Sequence, residues 1–399
     1  MSSLFQRKSV TIAAFGGLLL GSSALALAHD QAAAHVHISP DQLKSTIFVP
    51  NRASADVAVI DTQSEEVIAH VPVGSVPHQV AISAERMKMV TSNTADNTVT
   101  ITDLGTLQPA GTIELGHEPE HMEIGPDGDL VAIANIGAGT VSLVSLETDA
   151  ELARIDGLYE PHNMTFNRDG SLLYVGNLGA DVVSVIDVAK AEVIDEIQVD
   201  SPQAVASQGD GDGYQGIINV TSTVDGRFGF AAFGEGDAMA VIDLDSRETI
   251  KTLALGDLPW RAYSTADGRY MITPNNGDQT VSIVSTESLE EVARLPGAAD
   301  MTGVNTGMFE TTAFVISRGD DKLLTIDLDS LSSAGEIALP GTPETGVATP
   351  DGKKLYVALS STDQVAVIDM EKRALIKTIG DVGDEPWGAH MTGAMNYCH

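Results

Sequence analysis

Residues 159–187 read YEPHNMTFNRDGSLLYVGNLGADVVSVID, and three strands can be cut from this stretch before any other residue is considered. A proline opens the first, an Asp169-Gly170 turn closes it, the second ends at Asn177, and the third ends at Asp187. Apolar residues alternate with small or polar ones throughout, which is strand periodicity, and D-G between such runs is a hairpin signal. The closing pentad recurs along the chain as VAVID ending at Asp61, VTITD at Asp103, VSLVS at Ser145, VSVID at Asp187, MAVID at Asp243, VSIVS at Ser285, LLTID at Asp327 and VAVID at Asp369. The intervals are 42, 42, 42, 56, 42, 42 and 42 residues. A period of this length, built from strands and turns with almost no helical pattern, marks one blade of a β-propeller. Eight repeats predict an all-β, eight-bladed propeller.

The two ends of the repeat array predict how the ring closes. The first repeat starts at STIFVPN (45–51) and lacks an innermost strand, while PWGAHMTG (386–393) is an innermost strand without a blade of its own. The C-terminal strand therefore completes the first blade and hides the edges that an open ring would expose. Residues 45–393 are then one domain. The single interval of 56 holds 14 extra residues around SPQAVASQGDGDGYQ, an insertion between the fourth and fifth repeats. Asp210 and Asp212 within it are spaced like part of a calcium loop but lack further ligands in register, so the segment reads as a flexible turn.

The first 28 residues carry Arg7 and Lys8, an apolar run from about Val10 to Leu20, and an Ala26-Leu27-Ala28 cleavage pattern, which together read as an export signal cleaved after Ala28. No later stretch approaches the roughly 18 apolar residues that span a bilayer, so a soluble periplasmic protein with no membrane insertion is expected. The chain holds 22 basic and 56 acidic residues, a net charge of −34; without Arg7 and Lys8 the mature balance is 20 against 56, or −36. Such a surface repels nucleic acid and anionic membranes and attracts cations. One cysteine, Cys398, excludes an internal disulfide.

Aligning the repeats on the proline that heads each inner strand gives, at the next position, His78, Glu120, His162, Trp260, Glu344 and Trp387, and at the one after, Gln79, His121, Asn163, Arg261, Thr345 and Gly388. Inner strands line a propeller's channel with their starts at one rim. His78, Glu120, His121 and His162 thus fall on three consecutive blades, with His117 in the turn before and His390 on the closing strand next to that of His78. This is a His/carboxylate set of the kind zinc takes tetrahedrally. The alternative is that a histidine after Pro in this repeat is structural, bonding loop carbonyls at the blade start. Trp260 and Trp387 read as rim packing, and Arg261 as the partner of a neighbouring acid or of a ligand carboxylate.

The units SVPHQVAIS and YEPHNMTFNRDGSLLYVGNLGADVVSVID resemble the YVTN-type repeat over nearly the whole mature chain. Adding the export signal, eight repeats, the HDQAAAHVH segment (29–37), histidines heading inner strands and a Cys-His end, the chain is similar to the AztD-type periplasmic zinc chaperones. That resemblance implies a monomeric, non-catalytic zinc carrier whose partner is the zinc solute-binding protein of an ABC importer. Copper is the alternative metal, because an N-terminal histidine with its amine suits it and the divalent order favours it. Both chain ends should emerge on the face opposite the rim, bringing His29, His35 and His37 within reach of Cys398 and His399 as a second, mobile metal site in segments 29–44 and 394–399. Enzyme readings have little to stand on: there is no C-x-x-C-H, P-loop or nucleophile elbow, and two tryptophans do not make quinoprotein docking motifs. Two other readings stay open. One is a propeller binding a heme d1-type cofactor through an axial histidine, and the other a non-catalytic interaction propeller.

Overall fold

The computed structural model describes residues 37–200, 214–307 and 311–393. His29, His35, Cys398, His399 and the insertion around Asp210 lie outside the described residues. The described residues belong to one compact unit.

The strands form eight antiparallel sheets, seven of four strands and one of three. Each is a meander in chain order, as short turns between strands of about six residues require. The three-stranded sheet is the first blade, Thr46–Asn51, Asp56–Asp61 and Glu66–Pro72. Its inner position is taken by the end of the chain: Pro386 bridges Asn51 and His390 bridges Phe48, with backbone bonds Trp387 N–H to Pro50 O and His390 N–H to Phe48 O, both 2.9 Å. The expected closure is therefore present, although two isolated bridges rather than a continuous strand carry it.

Eight apolar clusters occupy the wedges between neighbouring blades, one per wedge. The wedge at the seam joins Ile47, Val49 and Ile60 of the first blade to Tyr356 and Val367 of the eighth and to Ala389 and Met391 of the closing segment. Burying each aliphatic side chain of this kind contributes about 1.5–3 kcal/mol, so the seam is packed like every other wedge rather than latched by a few polar contacts. One expectation is corrected here. Segment 29–44 is not loose up to Ser45: Ser39 caps a short helix, Pro40–Leu43, and Ile38 and Leu43 are buried in the wedge between blades one and two.

Three repeated residues explain the motif. The asparagine ending most second strands is buried, and its amide donates to hydroxyls of the third strand: Asn93 to Thr98 and Thr100, Asn135 to Thr140 and Ser142, Asn275 to Thr280 and Ser282. In all five D-G hairpins the glycine has φ between +65° and +73°, a left-handed turn that a side chain would strain. In every blade the outer strand carries a bulge at the same place, as between Leu143 and Val144 or Val367 and Ile368. The residue skipped there, Leu152 or Ile376 for example, points to solvent. Such bulges break the outer edge as a template for pairing with other chains.

Candidate metal centre

The sequence at each inner-strand head dictates where the histidines go. In blades two, three and four the ladder pairs the head proline (Pro77, Pro119, Pro161) and then jumps to the third residue after it, leaving a bulge over His78-Gln79, Glu120-His121 and His162-Asn163. A bulge re-aims side chains that a regular strand would send to alternate faces. The residue before each proline is in the left-handed region, with φ of 54° at Val76, 55° at Glu118 and 50° at Glu160, a conformation that costs about 1–2 kcal/mol without glycine. Three successive blades repeat this strained entry, and each delivers its side chains to the same rim.

The outcome is an arc of rings. From Trp387 the centroids step 6.0 Å to His78, 5.2 Å to His121, 4.0 Å to His162 and 6.1 Å to Trp260. All three histidines are buried. The Glu120 carboxylate lies between the first two, with Oε1 3.9 Å from His78 Nδ1 and Oε2 3.9 Å from His121 Nε2. Donor atoms of His78, Glu120 and His121 all fall within 4.8 Å of one another. His121 Nε2 is 2.9 Å from His162 Nε2. Ligand atoms about 2.0–2.1 Å from a tetrahedral zinc stand about 3.3 Å apart, so rearrangements of up to about 1.5 Å in donor separation would turn this cluster into a coordination shell.

Protonation favours the same use. His162 Nδ1 lies 2.9 Å from both the Ile218 carbonyl oxygen and Asn163 Nδ2; a proton on Nδ1 satisfies the carbonyl, which can only accept, and leaves the lone pair on Nε2, facing His121. Burial drives the His162 pKa down to about 3, and the charge of Arg261 and a neighbouring His78 cation push the same way against the Ile218 hydrogen bond. Its imidazole is therefore neutral and able to ligate at physiological pH. The Glu120 carboxyl is pushed up to about 7 by burial and by Glu118, with Arg52 opposing. A dication beside it would reverse that, since opposite charge favours the ionised form.

The other sequence candidates separate. His117 is exposed, 3.6 Å from Glu118, and not among the clustered donors. His390 is fully buried on the closing segment; neither ring nitrogen has a hydrogen-bond partner among the described residues, and burial with the His78 charge lowers its pKa to about 3. His37, at the other end of the chain, bonds the Gly105 carbonyl through Nδ1 at 2.6 Å. The structural alternative holds in part for His162, which does bond a backbone carbonyl, yet through the nitrogen that leaves Nε2 for the cluster. Trp387 packs against Arg52, whose guanidinium lies 4.0 Å from the ring centroid. Glu344, equivalent in the repeat to His78, is held by Ser360 and by Arg318 at 3.4 Å, so that sector of the rim is closed by an ion pair.

Two groups escaped the sequence reading. His70 bonds Asp56 at 2.6 Å and the Asp381 carbonyl at 2.9 Å, stitching the first blade to the closing segment. Glu123 lines the channel below the rim. It occupies the repeat position held by Ala81 and Thr165 in the flanking blades, and a carboxylate in that column was the signal.

Comparison with known proteins gives the β-propeller fold. A seven-bladed β-propeller protein of Mycobacterium tuberculosis, Rv1057, is 30% identical over 125 residues, 30% of this chain and 32% of that one, so the match spans about a third of the curated relative. Among solved structures, the dihydro-heme d1 dehydrogenase NirN in complex with DHE superposes with a TM-score of 0.73 at 16% identity, covering 90% of this chain and 77% of that one. Kuenenia stuttgartiensis hydrazine synthase gives 0.57 at 20% identity, covering 73% and 95%. Both likenesses are of fold. The profile of the YNCE-like beta-propeller family matches residues 81–394, and on that match, most of its length, the chain belongs to the YNCE-like β-propeller family.

Proposed function

We propose that this protein is an exported, non-catalytic zinc carrier that loads its ion at the histidine rim. The observation that carries the reading is the His78, Glu120 and His121 cluster, with the His162 lone pair against it. Without metal, one proton between the two Nε2 atoms satisfies both; a dication displaces it, and the Glu120 proton where present, so loading releases protons. Buried imidazoles with one carboxylate form the borderline donor set that zinc accepts, and copper competes for the same nitrogens. The acceptor we infer, a periplasmic solute-binding protein of a zinc importer, rests on the resemblance to the AztD-type chaperones, as does the monomeric state.

A heme d1-type ligand is the second reading, supported by the cavity that lies directly below the arc. Arg261 is the sole cation among the residues lining that cavity, against the several carboxylates of such a tetrapyrrole. Titration of the EDTA-treated protein separates the two. Stoichiometric zinc uptake with no visible band supports the carrier; a Soret band on adding heme, without zinc uptake, would replace it.

A further inference from the structure

One cation at the rim differs from its counterpart elsewhere in the ring. Arg52 and Arg318 each follow the buried residue that ends a second strand, Asn51 and Ser317. Each also donates its backbone N–H to the residue just before an inner-strand head, Arg52 to Glu385 at 3.0 Å and Arg318 to Asp300 at 2.9 Å. Arg318 is then neutralised twice, with Nε 2.7 Å from Asp300 and Nη1 3.4 Å from Glu344, the second residue of the next inner strand. Around Arg52 neither happens. The residue in the place of Glu344 is His78, and the Arg52 guanidinium lies over Trp387 instead, 4.0 Å from the ring centroid. Among the described residues it makes no ion pair, in a chain of 56 acidic against 22 basic residues. The Trp387 ring is itself 6.0 Å from that of His78, so the guanidinium stands within about 10 Å of the His78 ring.

We propose that Arg52 is the release element of the histidine rim, a fixed positive charge that lowers the affinity for a bound dication and sets how readily the ion leaves. This rests on the carrier reading above. A guanidinium keeps its proton at every working pH, so unlike lysine or histidine it cannot shed its charge when a dication arrives. A dication and a unit charge about 10 Å apart repel enough to weaken binding about fourfold even at the dielectric of water, and more beside a partly buried wall. The cation–π contact with Trp387 holds the charge at the rim. In blade seven the equivalent arginine ties up the carboxylate of the neighbouring strand head; in blade one it leaves the donors open and penalises their load. A carrier site has to fill and then empty, and an unneutralised cation at its edge favours the second step.

The test compares wild type with Arg52→Met, Arg52→Gln and Arg52→Lys in the full mature, EDTA-treated protein. Zinc affinity and release rate are read with a chromophoric chelator at about 10 mM and about 1 M sodium chloride, between which the screening length falls from about 30 Å to about 3 Å. At low salt Arg52→Met and Arg52→Gln should bind zinc about four- to tenfold more tightly, with the gain appearing as slower release. Arg52→Lys keeps the charge and should stay within about twofold of wild type, and at high salt all variants should converge to within about twofold. A role confined to packing on Trp387 gives neither the lysine rescue nor the convergence. If Arg52→Met fails to fold, Arg52→Gln decides. Zinc uptake with Arg52→Gln indistinguishable from wild type at low salt, or a difference unmoved by salt, overturns this proposal alone. A wild type that takes up no zinc overturns the carrier reading and this one with it.

Discussion

Glu120→Gln separates the stability of the fold from the use of its rim. Holding the carboxyl at about 7 instead of 4.5 means that ionising it in the folded chain costs about 3 kcal/mol more than in the unfolded one. The side chain keeps 25% exposure, so water screens part of this and about 2 kcal/mol is a fair expectation. The sign follows from linkage. A carboxyl whose folded pKa is raised binds its proton more tightly when folded, so its contribution is fully present below pH 4.5 and is lost as pH rises through about 7. Glutamine cannot ionise and escapes the loss. In the metal-free protein, Glu120→Gln should match wild type near pH 4.5 and exceed it by about 2 kcal/mol at pH 8. Urea unfolding of EDTA-treated protein at the two pH values measures this. In zinc the order should reverse: outer-shell changes already cost about 10- to 100-fold in metal affinity, and loss of a direct ligand costs more. A variant no more stable than wild type at pH 8, or equally stabilised at both pH values, would refute the electrostatic account. Unchanged zinc affinity would remove Glu120 from the site.

His121→Ala and His162→Ala should each weaken zinc binding by more than about a hundredfold, read by competition with a chromophoric chelator; a double variant with wild-type affinity would sink the rim site. Asn135→Ala removes the buried donor shared by Thr140 and Ser142, themselves buried, and should cost about 1–3 kcal/mol in thermal or urea unfolding. Truncation after Gly393 should leave the melting temperature unchanged, because the described closing contacts end before it, whereas truncation after Glu385 strips Ala389 and Met391 from the seam and bares the Thr46–Asn51 edge. The longer truncation should aggregate, as followed by light scattering.

The number of blades, the closure by PWGAHMTG and the placement of His78, Glu120, His121 and His162 at one rim were legible in the sequence because a strict 42-residue period carries register with it. Once one strand head faces the channel, every equivalent head does. The early part of the chain was misjudged: Ile38 and Leu43 sit before the first repeat and outside its period, and their burial depends on the wedge between blades one and two, which exists only when the ring has formed. Periodicity likewise could not rank the histidines. His117, three positions before the column of His78, is exposed, while His390, from the far end of the chain, is wholly buried, and these fates were decided by turn geometry and ring closure. That Glu123 and Arg261 line one cavity needed the tertiary structure most. They lie in blades three and six, 138 residues apart, and only the curvature of the closed ring brings them to opposite parts of one cavity wall.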